Sequence, residues 1–207
     1  VPGDLSSAAF MLAASLIVPG SRVVVGPTGV NPTRDGFLRI VELMAGSAVV
    51  RRAVDGVAAG AEPVAMLEAV APDRLVGINV PPAWVPLAID EFPLVMAMAA
   101  VAEGRTLITG AEELRVKESD RLAVMCRQLG RLGVRIEERT DGATIYGGRV
   151  LGGTVDSGGD HRIAMSLAVV ALVAEAPIEI TDAQWIRTSY PAFVAHLEEL
   201  GARLQWR

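Results

Sequence analysis

Apolar positions in this chain fall into two kinds of run. Three stretches are apolar almost without a break: AAFMLAASLIV from Ala8, FPLVMAMAAVA from Phe92 and IAMSLAVVALVA from Ile163. A helix that is apolar all round must be covered on every side, so these predict three helices buried together at the centre. Three other stretches repeat apolar residues every third or fourth position. Phe37, Leu38, Val41 and Met44 do so with Arg34, Arg39 and Glu42 opposite. Leu122, Met125, Cys126, Leu129 and Leu132 follow the same rule, as do Phe193, Val194, Leu197 and Leu200. That spacing predicts amphipathic helices with one face to solvent. Short β-rich pieces fill the rest, at Arg22–Val25, Ala65–Ala71, Leu75–Val80, Arg105–Thr109, Val134–Glu138, Thr144–Tyr146, Ile178–Thr181 and Arg203–Trp206. Asp141-Gly142 marks a turn between two of them.

These pieces recur in one order: helix, strand, loop, helix, strand. The period is about 70 residues, which constrains the architecture before any motif is considered. The joints fall near 1–71, 72–147 and 148–207, where Pro72, Pro81-Pro82 and the Gly-rich Gly147–Gly159 interrupt the pattern. The expectation is a single α/β (α+β) domain over 1–207: three inner helices, a sheath of short sheets and an outer set of amphipathic helices.

Composition narrows the class. Hydrophobic residues make up 51% of the 207 and aromatics only 4%, so the core is aliphatic. A net charge of -5 and the absence of any Lys/Arg-rich run argue against a nucleic-acid partner. Mean hydropathy of +0.40 raises the question of a membrane. The apolar runs are about a dozen residues or fewer, and a spanning helix needs roughly 20, so no membrane partner is expected. The one cysteine, Cys126, cannot form an internal disulfide and suits a reducing, cytoplasmic setting. It lies on the apolar side of its helix and reads as buried filler. The chain opens at Val1 without a visible signal peptide and reads as a piece of something longer.

The candidate chemistry lies in the phase of the polar insets. Asp4, Ser6 and Ser7, then Asp90 and Glu91, then Asp160, His161 and Arg162, stand directly before or at the start of the three apolar helices. If those helices run parallel, their N-termini share one face, and free N–H groups with the helix dipoles make that face favour anions. Ordinary N-capping is the competing reading for Asp4, Ser6 and Ser7. Capping does not require the basic pair His161-Arg162. A second cluster, Arg115-Val116-Lys117-Glu118-Ser119-Asp120-Arg121, enters an amphipathic helix at the same end of its repeat as Asp90. It is either a solvated helix start or a set of groups aimed at the inner-helix termini. Arginine suits bidentate recognition of carboxylate or phosphate, and a carboxylate among cations can accept or pass a proton. No His/Cys/carboxylate cluster resembles a metal site, so neither metal nor cofactor is expected.

These residues carry a resemblance. RVKESDRL at Arg115–Leu122, DHRIAM at Asp160–Met165, IDEFP at Ile89–Pro93 and GDLSS at Gly3–Ser7, taken together, resemble the 5-enolpyruvylshikimate-3-phosphate synthase family, the 3-phosphoshikimate 1-carboxyvinyltransferases. The similarity covers the whole chain and about the C-terminal half of such an enzyme. It implies three βαβαββ units with inner parallel helices and outer short mixed sheets, one half of an inside-out barrel. The implied reaction moves the enolpyruvyl group of phosphoenolpyruvate onto the 5-hydroxyl of shikimate 3-phosphate, a step of aromatic amino acid biosynthesis. By that resemblance Asp90 is the general base and Glu118 shuttles the methylene proton. Arg121 and Arg162, with His161 beside them, bind phosphoenolpyruvate, and Lys117 contacts shikimate 3-phosphate. The implied partner is an N-terminal domain of the same enzyme, without which the isolated piece is expected to be inactive. Thr188 stands where many members carry a last-loop lysine, with Arg187 next to it, and Glu113 stands where some use asparagine. The alternatives are the sister UDP-N-acetylglucosamine enolpyruvyl transferase and a non-catalytic anion-binding module of the same fold.

Overall fold

The structure is a computed structural model and describes residues 1–54 and 62–206. Its helices are α1 (Leu5–Ile17), α2 (Gly36–Ala45), α3 (Phe92–Val101), α4 (Arg121–Arg131), α5 (His161–Ala171), α6 (Ile186–Ser189) and α7 (Phe193–Glu199). Its strands are β1 (Arg22–Gly29), β2 (Val49–Ala53), β3 (Val64–Val70), β4 (Arg105–Ile108), β5 (Arg135–Arg139), β6 (Gly142–Tyr146), β7 (Gly153–Asp156) and β8 (Ile178–Thr181). The order α-β-α-β-β occurs twice, from α1 to β3 and from α3 to β6; the last part runs β7-α5-β8-α6-α7.

The apolar runs form the inner helices. Every residue of α1 but Ser7 is buried, as is every residue of α3 but Val101. In α5 Ile163–Val170 are buried. Polar atoms inside this core are satisfied: Ser15 Oγ donates to the Ala69 carbonyl and Ser166 Oγ to the Arg162 carbonyl one turn back. The three helices touch one another. Their last turns (Leu16–Val18, Val101–Gly104, Leu172–Val173) line one hollow, and their first turns are hydrogen-bonded together as described below. They therefore run parallel.

Three small sheets surround them. β3 lies between β1 and β2, all antiparallel, and β6 lies between β4 and β5, also antiparallel. β7 and β8 pair parallel. The amphipathic helices α2, α4 and α7 turn Phe37, Leu38 and Met44, then Leu122, Met125 and Leu129, then Phe193 and Leu197 into the core. Leu200 falls just past the end of α7 and is exposed.

Four local expectations change. Leu75–Val80 is not a strand; it meets β4 only through single bridges at Val76 and Asn79. The Ile78 N–H faces the Thr106 hydroxyl instead of a backbone carbonyl, which interrupts the ladder. A Cβ on Gly77 would lie 2.5 Å from the Arg105 backbone, so only glycine permits this approach. Arg203–Trp206 forms no strand. Two strands unmarked by the pattern appear instead, β2 and β7. They exist through their partners: β2 is drawn onto β3 from Val49 opposite Ala69 to Ala53 opposite Ala65, and β7 onto β8. No helix among the described residues is long and apolar enough to cross a membrane.

Candidate active site

Asp4 caps α1 by accepting from the Ser7 N–H at 2.8 Å and the Ser7 hydroxyl at 3.0 Å. Asp160 caps α5 by accepting from the N–H groups of Arg162 and Ile163. Asp120 caps α4 through the Ala123 N–H at 2.9 Å. The start of α3 differs: Ile89–Glu91 form a short 3-10 turn, Pro93 follows, and no side chain caps the helix. Capping thus explains Asp4, Ser7 and Asp160, and leaves Ser6, Asp90, Glu91 and Arg162 for other contacts.

Those contacts join the three helix starts. Ser6 Oγ donates to Glu91 Oε1 at 2.5 Å, linking α1 to the turn before α3. Arg34 reaches the same hydroxyl at 3.4 Å. Arg162, in the first turn of α5, lies 3.6 Å from Asp90 Oδ2 and 3.7 Å from Glu91 Oε1, and donates to the Asp90 carbonyl at 3.3 Å.

Arg121 ties in the charged loop. It is the first residue of α4 and only 1% exposed. Its Nε donates to Asp160 Oδ2 at 2.8 Å, its Nη1 to Asp90 Oδ1 at 3.3 Å and its Nη2 to Glu118 Oε2 at 2.5 Å. Three of the five guanidinium N–H groups are so engaged, which leaves two for another acceptor. Ser119 adds a hydroxyl to Asp160 Oδ2 at 3.1 Å.

Burial and charge compete at each titrating group. Burial pushes the Asp160 carboxyl up, but the hydrogen bond and charge of Arg121, with the Arg162 N–H and Ser119, outweigh it and hold the group below the usual carboxylate range. At Glu91 burial wins: the carboxyl is pushed up, with Ser6, Arg162 and Arg34 offsetting only part. Burial also pulls the His161 imidazole below its ordinary value, the Asp160 charge opposing and Arg162 and Arg121 reinforcing the shift.

The structure therefore brings Asp90, Glu118, Arg121 and Arg162 into one cluster, with His161 adjacent on α5. Lys117 does not join their hydrogen bonds; its Nζ is held by Glu113 Oε1 at 2.5 Å. Arg115 serves the scaffold. It donates to the Thr140 and Arg139 carbonyls and pairs with Asp120 and Glu138, pinning the loop to the β5–β6 hairpin. Arg187 lies over the Trp206 ring at 4.4 Å, and the Thr188 hydroxyl donates to the Trp185 carbonyl, so neither side chain is seen to replace a lysine. Ser6, Glu91, Ser119 and Asp160 lay in the polar insets or the charged loop that the sequence singled out but carried no assigned role there, and Arg34 was not singled out for the site. Ser6 and Glu91 carried a signal, since each is a polar residue breaking into an otherwise apolar helix start.

The family model for EPSP synthase (3-phosphoshikimate 1-carboxyvinyltransferase) matches residues 1–197. The chain belongs to the EPSP synthase family. It is 52% identical over 205 residues to the 3-phosphoshikimate 1-carboxyvinyltransferase of Acidithiobacillus ferrooxidans, covering 99% of this chain and 46% of that protein. It is 53% identical over 202 residues to the enzyme of the same name from Halorhodospira halophila, covering 97% and 45%. Among solved structures, an EPSP synthase from Acinetobacter baumannii superposes with a TM-score of 0.92 at 41% identity, over 97% of this chain and 46% of that one. The enolpyruvyl transferase NikO from Streptomyces tendae superposes with a TM-score of 0.68 at 16% identity, over 97% and 43%, and shares the fold. The chain thus spans about half the length of the curated relatives it matches.

Proposed function

We propose that this chain forms one half of an enzyme that transfers the enolpyruvyl group of phosphoenolpyruvate to the 5-hydroxyl of shikimate 3-phosphate. The observation that carries the proposal is the convergence of Arg121, Arg162, Asp90 and Glu118 on the starts of three parallel helices, in a chain of the EPSP synthase family. A multiply anionic substrate needs fixed cations and N–H groups placed before it arrives, and such preorganised charge usually carries the largest share of catalysis. Arg121 supplies two unengaged N–H groups, and the burial around it keeps its geometry fixed.

In this reading Asp90 removes the proton from the attacking hydroxyl. The hydroxyl oxygen adds to C2 of phosphoenolpyruvate while Glu118 delivers a proton to the methylene carbon, giving a tetrahedral adduct. Glu118 then takes a proton back from the new methyl group as phosphate leaves, which restores the carbon–carbon double bond and completes transfer. Arg121 and Arg162, with His161 beside them, hold the phosphoenolpyruvate anion, and Lys117 meets shikimate 3-phosphate. The exposures suit the two proton-transfer roles: the Asp90 side chain is 33% exposed and that of Glu118 57%, so both can meet a bound molecule.

The charge balance supports a missing partner half. Asp90, Glu91, Glu113, Glu118 and Asp160 set five negative charges against the four of Arg34, Lys117, Arg121 and Arg162. Among the described residues this cluster therefore offers no surplus cation for two phosphate-bearing substrates, and in this reading an N-terminal domain brings it.

The test is phosphate release from phosphoenolpyruvate with shikimate 3-phosphate as acceptor, using this chain alone and joined to an N-terminal half. The joined protein should turn over and the chain alone should not. Asp90→Ala in the joined protein should lower kcat by about 10²–10⁴-fold, the usual worth of general base help, while phosphoenolpyruvate still binds. Unchanged turnover would remove Asp90 from the mechanism.

A further inference from the structure

Lys117 is the single lysine among the 207 residues, and it does not stand free. Its ammonium lies 2.5 Å from Glu113 Oε1, one i,i+4 step back in the 3-10 turn Glu112–Val116. The Lys117 side chain is 23% exposed and that of Glu113 57%. The cation is thus partly sunk into the rim, while its carboxylate partner sits outermost on the solvent side. Arg121, four residues on, is by contrast held by three carboxylates at once, of which Asp160 is itself fixed as the cap of α5. Glu113 has no other hydrogen bond among the described residues, so Lys117 is its one partner there.

We propose that Glu113 is a specificity-determining latch: its carboxylate occupies Lys117 in the empty site and must be displaced by the phosphate of the incoming substrate. The inference rests on the reading of Lys117 as a substrate contact. The carboxylate imitates the anion that the lysine is there to meet, so each binding event exchanges one charge-assisted hydrogen bond for another. The neighbouring carboxylate of Glu118 is held by Arg121 instead. Substrate affinity is thereby lowered by the worth of one exposed ion pair, and an anion without the reach to displace Glu113 is disfavoured.

Two measurements decide it. In the chain itself, acetylation by an N-hydroxysuccinimide ester has one lysine target, and an added free peptide amine serves as the standard. Glu113→Gln should speed acetylation of Lys117 about two- to fivefold relative to that standard, the range expected for breaking an exposed pair. Equal rates overturn the latch. In the chain joined to its N-terminal half, Glu113→Gln should lower KM for shikimate 3-phosphate by about the same factor, with kcat and KM for phosphoenolpyruvate unchanged. In a Lys117→Met background the same substitution should leave KM unmoved. A KM that stays level or rises, or an equal fall in the Lys117→Met background, overturns competition with substrate. A joined protein that binds neither substrate sinks the functional reading, and the acetylation rates still decide whether the latch exists.

Discussion

Replacing Arg121 by methionine removes a cation and leaves a hole of similar shape filled by an apolar chain. Three carboxylates lose a partner, but they do not lose equally, since Asp90 keeps Arg162 at 3.6 Å. Glu118 is 57% exposed and Asp90 33%, so water can take over much of the lost contact. Asp160 is fully buried, and Ser119 and two backbone N–H groups are all it retains. Removing one member of a buried ion pair typically costs about 3–5 kcal/mol, because the remaining charge is left in a poor solvent. With a urea m-value of about 2.5 kcal/mol per molar, that loss moves the unfolding midpoint down by about 1–2 M.

The pH dependence separates this cause from a packing defect. In the parent, Asp160 has a carboxyl pKa below its unfolded value. Its stabilisation is present above the unfolded carboxylate range and is lost as pH falls through the lower, folded value. In Arg121→Met the burial remains without the cation, so the folded value is pushed up. The variant's penalty is then present at neutral pH and is relieved as pH falls and the carboxyl protonates. The stability gap between the two proteins should be largest near pH 7 and shrink toward about pH 4. Adding Asp160→Asn keeps an N-cap acceptor and removes the stranded charge, so the double variant should recover much of the loss. A gap under about 1 kcal/mol that does not change with pH, or a double variant no more stable than the single one, would refute the reasoning.

Three further outcomes follow from the packing. Gly147→Ala puts a Cβ 1.8 Å from the Ala102 carbonyl oxygen, whereas Gly148→Ala next to it meets nothing within 4 Å. The first should cost at least about 2 kcal/mol and the second well under 1 kcal/mol in urea unfolding; equal midpoints would contradict the close approach. The chain has two histidines, His161 and His196, and an NMR titration should place the His161 midpoint below 6.5, its unperturbed value. A midpoint at or above that value would mean that burial and the arginines do not dominate. The Cys126 thiol, pushed up to about 12 by burial, should react with a disulfide reagent at pH 8 only as fast as the protein unfolds. Immediate stoichiometric reaction would show an accessible thiolate.

The inner helices were legible because nothing but burial accounts for eleven apolar residues in succession, and the amphipathic helices because one face had to meet water. The charged cluster was legible in the segments around Asp90, Arg121 and Arg162, since each lies at the start of a helix or of its entry loop. The strands at Val49–Ala53 and Gly153–Asp156 were not. The first carries two arginines and the second opens on a glycine, so neither announces itself, and both are held by a partner strand distant in sequence. Arg121 shows the same limit at the site. Local spacing gives its three-residue step to Glu118, but only the fold reveals Asp160, 39 residues away, and the resulting burial of the pair. The Ser6–Glu91 bond spans 85 residues and is equally invisible to any local window.

The uncapped entry to α3 has a consequence for how acids can be used in this molecule. Protonating Asp4 or Asp160 would withdraw an acceptor that a helix relies on, so each change of charge there would loosen the scaffold. Asp90 bears no such duty: the turn before α3 and Pro93 begin that helix without it. Protonating Asp90 would weaken its pairing with Arg121 and Arg162 but would take no acceptor from a helix start, which is the freedom that the base proposed above would require.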